Sequence, residues 1–261
     1  MKTYNGIDVS EHNGSINWKT VKQHIDFAMI RAGYGSSTTD SCFKANASNC
    51  SALKIPFGVY WFSYAYTTEM ARKEAKRCLS VIKPFKLSCP VAFDFEEDSL
   101  AYALKKGVRL TPEDVASIAT AFLNEVVRAG YPVLLYSNLN MWEKGLKKVP
   151  SVYPVWCAQW GTSKPDLYCS MWQDSASGRI EGITGPVDTD ISYQEYIVSE
   201  EVGNRNAKLA DCINNYGEYY TKIAEEIIEG KYGNGEERVK KLLAEHRDPE
   251  YAQAIVNILV K

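Results

Sequence analysis

The sequence predicts an α/β protein: a compact, irregular eight-stranded barrel followed by a small helical unit. Three observations predict it. Strand-like and helix-like stretches alternate five times along the first part of the chain, the order that builds a mostly parallel sheet. Three more strand-like stretches follow with Gly-, Pro- and Ser-rich turns and no helices between them. Acids recur at or near candidate strand ends, where closed parallel barrels gather their reacting groups.

The elements come in this order. Residues 4–9 alternate and end in Gly6-Ile7-Asp8-Val9-Ser10, a first strand that delivers Asp8 near its C-terminal end. Ile16-Asn17-Trp18 leads into a short helix through residues 21–25. Residues 27–33 make a second strand, too apolar to be exposed on either face. A helix over 42–53 precedes the third strand, 55–64, which carries Tyr60, Trp61, Phe62 and Tyr64. Residues 67–82 form a helix with acids and bases on its outer face. Residues 90–97 are the fourth strand, and it ends in acid. Thr111-Pro112-Glu113-Asp114 is a strong helix start, with a hydroxyl cap, proline at the first position and acids in the first turn. That helix runs to Arg128 and stops at Gly130. Residues 132–138 are the fifth strand and 139–146 a short helix. Residues 153–160, 170–173 and 188–192 are the last three strands.

The fourth strand organises the rest. Side chains alternate along a strand, so Val91, Phe93 and Phe95 face one way and Ala92, Asp94 and Glu96 the other. Two carboxylates thus stand on one face, separated by about 6–7 Å of strand. Like charges on one face repel and lose hydration, so folding gains nothing from the pair. Such pairs mark sites where one carboxyl stays protonated near neutral pH; the alternative is a strand end whose acids reach solvent. Asp8 and Asp188 at other strand ends favour the first reading. Glu97 and Asp98 read as solvated loop acids.

Composition narrows the function. The chain has 261 residues, 45% hydrophobic and 24% charged, with a net charge of −2, so no basic field points to nucleic acid or an anionic membrane. No apolar run is long enough to span a membrane or serve as a signal peptide, which leads to the expectation of a protein made and held in the cytoplasm until something else releases it. Seven cysteines show no CxxC spacing and only three His exist, so no zinc site is expected; the thiols read as reduced and mostly buried, although one pair could bridge. The 17 Tyr and 6 Trp suit a cleft where rings stack on sugars as well as they suit a β-rich core.

Gly6-Ile7-Asp8-Val9-Ser10, Ile30-Arg31-Ala32-Gly33-Tyr34-Gly35, Asp94-Phe95-Glu96, Met171-Trp172-Gln173 and Val187-Asp188 resemble the glycoside hydrolase family 25 muramidases, in order and spacing, over residues 1–196. The resemblance implies a flattened (β/α)5(β)3 barrel, with a domain over 1–198. It implies cleavage of the β-1,4 bond between N-acetylmuramic acid and N-acetylglucosamine in peptidoglycan, without metal, nucleotide or redox cofactor. It makes Glu96 the general acid and Asp94 the carboxylate that acts on the substrate acetamido group or on the oxocarbenium charge. Asp8 becomes the N-terminal acid on the cleft floor and Asp188 the late one. Asp190 stands where many members have Asn. The chemistry requires one protonated carboxyl for the leaving oxygen and one ionised group for the ring charge. Like charges around Glu96 would raise its pKa, and Asp94, if better hydrogen-bonded, would stay ionised. Tyr34, Tyr60, Tyr64, Trp160 and Gln173 are the cleft-lining candidates.

Residues 199–206 read as a linker. Beyond it, residues 207–228, 236–245 and 249–259 read as three amphipathic helices sharing a core of Ile223, Ile227, Ile228, Val239, Leu242, Leu243, Ile255, Val256 and Leu259. Residues 223–238, continuing to Val256-Asn257, resemble a single CW_7 cell-wall-binding repeat, which implies that Tyr232, Gly233, Asn234 and Arg238 contact the wall. Tyr232 replaces the usual Trp, and Gly230, Gly233 and Gly235 could simply make the turn. A structural cap or an oligomerisation element is the alternative. The leading reading is a peptidoglycan muramidase of the phage endolysin kind, with bacterial peptidoglycan as partner. An N-acetylhexosaminidase acting on chitin-type chains and a non-catalytic wall lectin are the alternatives.

Overall fold

A computed structural model describes residues 2–195, 219–245, 247, 249, 252, 253, 256, 259 and 260. The predicted linker over 199–206 and the predicted helix before residue 219 lie outside the described residues.

The strands are β1 (Tyr4–Val9), β2 (Phe27–Tyr34), β3 (Thr38–Thr39), β4 (Phe57–Phe62), β5 (Val91–Asp94), β6 (Val133–Asn138), β7 (Val155–Ala158), β8 (Met171–Gly178) and β9 (Val187–Ser192). They hydrogen-bond in the order β1-β9-β8-β7-β6-β5-β4-β2-β3, and β1 also pairs with β2, so eight of them close into a barrel. Barrel neighbours run parallel from β1 through β2, β4, β5, β6 and β7 to β8, β9 lies antiparallel to both β8 and β1, and β3 is antiparallel to β2. This is the predicted five-plus-three arrangement. The two-residue β3 hangs on β2 outside the barrel and was not expected.

The helices are α1 (Trp18–Val21), α2 (Phe43–Leu53), α3 (Thr68–Ile82), α4 (Glu97–Lys105), α5 (Pro112–Arg128), α6 (Leu139–Lys144), α7 (residues 219–228) and α8 (Gly235–Ala244). The start of α5 is as its sequence dictates. Thr111 Oγ1 accepts from Asp114 N at 3.2 Å, and Asp114 Oδ2 accepts from Thr111 N at 2.9 Å. Gly130 ends it with φ +83°, a conformation open to a residue without Cβ.

Strand alternation sorts the apolar residues into two layers. Phe27, Met29, Ala92, Leu134, Trp156 and Met171 fill the barrel interior. Ile30, Val59, Phe93, Phe95 and Phe122 pack between strands and helices. Phe93 and Phe95 stack at 6.0 Å, as expected for residues on one face of the chain. Gly6 is required at the base of the barrel, because a Cβ there would lie 2.3 Å from the Phe27 ring. An extra methyl in so tight a core destabilises by about 1–3 kcal/mol.

Two expectations are corrected. The acidic strand ends at Asp94 rather than Glu97, and Glu97-Asp98 open helix α4 rather than a solvated loop. Ser99 Oγ accepts from Glu96 N at 3.1 Å, which fixes Glu96 as the residue before the helix with an extended backbone. The alternation therefore persists to Glu96 although the pairing stops. In the C-terminal unit, Ile223, Ile227, Leu242 and Val256 are buried as predicted, but Ile228, Val239, Leu243 and Leu259 are 42–50% exposed. Ile223 and Ile227 lie four residues apart on one face, and Ile228 turns off it. No helix among the described residues is long and apolar enough to cross a membrane.

Candidate active site

The inward positions at one barrel end carry the acids. Asp8 on β1 lies directly opposite Asp188 on β9, and Asp190 lies opposite Gln173 of β8 and Gly6 of β1. Gln173 ties the group together: its Nε2 donates to Asp8 Oδ2 at 2.7 Å and lies 3.5 Å from Asp188 Oδ2. Its Oε1 accepts from Tyr136 Oη at 3.1 Å and Trp160 Nε1 at 3.3 Å. Both ends of one buried amide are thereby committed, which fixes its orientation. Trp156 Nε1 donates to Asp190 Oδ1 at 2.8 Å.

Across the mouth stand Asp94 and Glu96. Burial pushes Glu96 up to about 7, with help from the charges of Glu97, Asp98 and Asp188 and against a hydrogen bond from Asp94. Asp94 is buried and is pushed well above its ordinary value by that burial, by Glu96 and by Asp8, outweighing Arg31. Its Oδ1 has no partner among the described residues. The better hydrogen bonding on which an ionised Asp94 depends is not found among the described residues. The two carboxyls are hydrogen-bonded to each other, and two anions this close and this dry would repel, so burial disfavours ionising both. Asp8 is likewise raised, by burial and by Asp188.

Glu97 behaves in the opposite sense. Burial alone would raise it, but its own backbone N–H, the Asn140 and Asn138 amides and Lys144 hold it below the usual range. An ionised carboxylate thus sits beside Glu96. Arg31 on β2 is the cation of the rim. Its Nε is 2.8 Å from Asp40 Oδ2, its Nη2 2.9 Å from Glu11 Oε1, and its guanidinium lies 5.2 Å from the Tyr34 ring.

The aromatic candidates divide. Tyr34 and Tyr64 meet edge-on at 6.5 Å, and Tyr64 also meets Tyr102 of α4 at 4.9 Å, forming a half-buried cluster. Trp160 is 55% exposed while its indole N–H reaches Gln173. Tyr60 packs edge-on against Trp156 at 6.1 Å, and its hydroxyl feels Asp8, Asp94 and Asp188. Sequence reasoning missed Tyr136, Trp156, Tyr102 and the part played by Glu97. The signal for the first two was strand parity, since Tyr136 follows Leu134 inward.

The C-terminal candidates are placed differently. Tyr232 is buried, and its hydroxyl meets Glu245 Oε2 at 2.9 Å and Arg247, so its ring is turned into the unit rather than outward. Arg238 donates to Gly233 O at 3.1 Å, to Asn234 Oδ1 at 3.0 Å and to Gln253 Oε1 at 2.7 Å. Gly230, Gly233 and Gly235 all have positive φ and make the turn. The six described cysteines are free thiols, and among the described residues no cluster could hold a metal ion.

Comparison with known proteins adds the following. The model of the family described as glycosyl hydrolases family 25 matches residues 7–183, and the CW_7 repeat model matches residues 221–260. The autolytic lysozyme of Clostridium acetobutylicum is 27% identical over 188 residues, 71% of this chain and 54% of that protein. The lysozyme of Streptococcus phage Cp-7 is 23% identical over 266 residues, 96% of this chain and 68% of its own length. The modular autolysin LytC of Streptococcus pneumoniae, solved in complex with a synthetic peptidoglycan ligand, superposes with a TM-score of 0.65 at 29% identity, covering 73% of this chain and 47% of that one. The chain thus spans about half the length of the clostridial lysozyme and of LytC.

Proposed function

The chain belongs to glycosyl hydrolases family 25, and from that premise we propose that it is an N-acetylmuramidase, cleaving the β-1,4 bond between N-acetylmuramic acid and N-acetylglucosamine in peptidoglycan. What carries the reading is the buried Asp94–Glu96 pair, two hydrogen-bonded carboxyls of which Glu96 is raised by burial to about 7. Family membership makes the chemistry glycosidic, and the pair supplies the acid that such chemistry needs.

Glu96 is the proton donor to the leaving oxygen. Asp94 competes with Glu96 for the proton between them, having one buried oxygen without a donor among the described residues. A substrate acetamido N–H placed against Asp94 supplies that donor, favours its ionised form and leaves the proton on Glu96. The acetamido carbonyl oxygen then attacks the anomeric carbon as the glycosidic bond breaks, and Glu96 protonates the departing hydroxyl. Asp94 holds the N–H of the oxazolinium ion, and Glu96 takes a proton from the water that opens it. Asp8 and Asp188 provide negative potential below the ring, where positive charge develops. Tyr34, Tyr64 and Trp160 offer rings for sugar faces, and Tyr60 and Gln173 hold the floor.

The CW_7 match supports a wall-binding role for the C-terminal unit. Gly233, Asn234 and Arg238 would present its binding turn, with Tyr232 bracing that turn from within. Together with the likeness of nearly the whole chain to a phage lysozyme, this supports a lytic role of the endolysin kind. The test is reducing-end release from purified peptidoglycan by the wild type and Glu96→Gln, with mass spectrometry of the products. Fragments ending in reducible N-acetylmuramic acid, lost in the variant, are expected. Wall binding without reducing ends would overturn the reading in favour of a lectin.

A further inference from the structure

We propose that Asp190 works as a neutral carboxylic acid that donates its proton to Asp8 and so positions that carboxylate at the cleft floor. The inference deepens the muramidase reading and rests on it for its catalytic consequence alone.

The argument starts from register. Strand β9 lies between β1 and β8, and Asp188 and Asp190, two residues apart, share the face that meets Asp8 and Gln173. Asp190 is 1% exposed. One of its oxygens accepts from Trp156 Nε1 at 2.8 Å; the other, Oδ2, is buried with no donor among the described residues. An ionised carboxylate with a dry, unserved oxygen is strongly disfavoured. The charged groups that face it are Asp8 from β1, Asp188 from its own strand and Asp174 from β8, all acids, while Trp156 from β7 and Gln173 from β8 are neutral.

The Asp190 carboxyl lies within hydrogen-bonding reach of Asp8. A proton on the Asp190 carboxyl turns it into a donor and gives Asp8 a second bond beside that from Gln173 Nε2. Asp8 is then held from two sides by neutral donors, in one orientation, and both bonds offset part of what burial and Asp188 cost its charged form. Ionising Asp190 would reverse this, setting a second anion against Asp8. An amide at this position reproduces the neutral acid, with its oxygen toward Trp156 and its N–H toward Asp8.

The experiment is a carboxyl-carbon NMR titration of the full chain, Asp-labelled, for the wild type, Asp190→Asn and Asp190→Ala, beside reducing-end release by each across pH. At neutral pH, Asp190→Asn is expected to show one protonated carboxyl fewer than the wild type. Its activity is expected to recover most of what Asp190→Ala loses, with the alkaline limb set by Glu96 left in place. Equal numbers of protonated carboxyls in wild type and Asp190→Asn would overturn the proposal, as would an Asn variant no more active than Ala. Thermal melts of the three proteins separate these results from misfolding. Should the wild type release no reducing ends, the muramidase reading fails while the carboxyl count still decides the state of Asp190.

Discussion

Asp8 and Asp188 face each other across the antiparallel β1–β9 pair, at the seam where the barrel closes, and the Gln173 amide stands between them. Two acids opposed in a sheet repel, and one neutral donor that reaches both is the least disruptive way to hold them. Replacing Gln173 with Ala removes the donor to Asp8 and strands the Tyr136 hydroxyl and the Trp160 indole. Loss of a buried hydrogen bond of this kind is worth roughly 1–3 kcal/mol. Reducing-end release by Gln173→Ala is expected to fall by about tenfold to a hundredfold, and Gln173→Glu, adding a carboxyl to the cluster, to fall further.

In the proposed muramidase the alkaline limb of activity is expected to belong to Glu96. A general acid must be protonated when it acts, and Glu96 is raised to about 7 by its surroundings. Activity is therefore expected to fall as pH rises through that value. A profile of initial rates across pH checks this. Glu96→Gln should reduce the rate by about 10²–10⁴-fold, the usual contribution of such a group, with no residual limb near neutrality.

After burial, Glu97 is the next largest influence on where that limb lies. It is ionised, held by Asn138 and Asn140, and its charge helps keep the proton on Glu96. Glu97→Gln removes the charge while retaining an acceptor for the two amides. The limb should then move to lower pH, with the maximal rate in acid little changed. The same rate profile measures it, and an unmoved limb would show that burial alone raises Glu96.

What could be read in advance followed from periodicity. The count of strands, the Thr111-Pro112 helix start and the meeting of Asp8, Asp94, Glu96 and Asp188 all rest on alternation or on capping chemistry, which are local. Helix α4 escaped because Glu97, Asp98 and Ser99 open it with polar residues, and its buried positions are the small Ser99 and Ala103, which leave no apolar stripe. Tyr136 and Trp156 escaped because inward aromatics look alike whether they fill a core or serve an acid. The upward shift of Asp94 escaped because solvent exclusion arises from the whole barrel mouth, not from neighbours in the chain. In the C-terminal unit the apolar residues were plain, but which of them pair was a matter of tertiary packing.

Glu74 of α3 gives the barrel a dependence on pH that is separate from catalysis. Its carboxyl accepts from Tyr64 N at 3.2 Å and from the Ser63 hydroxyl, bracing the exit of β4 that carries Tyr64 to the rim. Its second oxygen is buried without a partner among the described residues, and burial raises the group from 4.5 to about 7. Between those values the folded protein binds more protons than the unfolded chain, so stability falls as pH rises. The contribution is full below the unfolded value, declines above it and is gone beyond about 7. Over that window the loss is about 3 kcal/mol. Glu74→Gln cannot ionise and keeps an acceptor for Tyr64 N. Urea unfolding at about pH 5 and about pH 8 should show the wild type losing roughly 2–3 kcal/mol more than the variant between the two. Equal losses would mean that the Glu74 carboxyl is already ionised in the folded barrel at the lower pH.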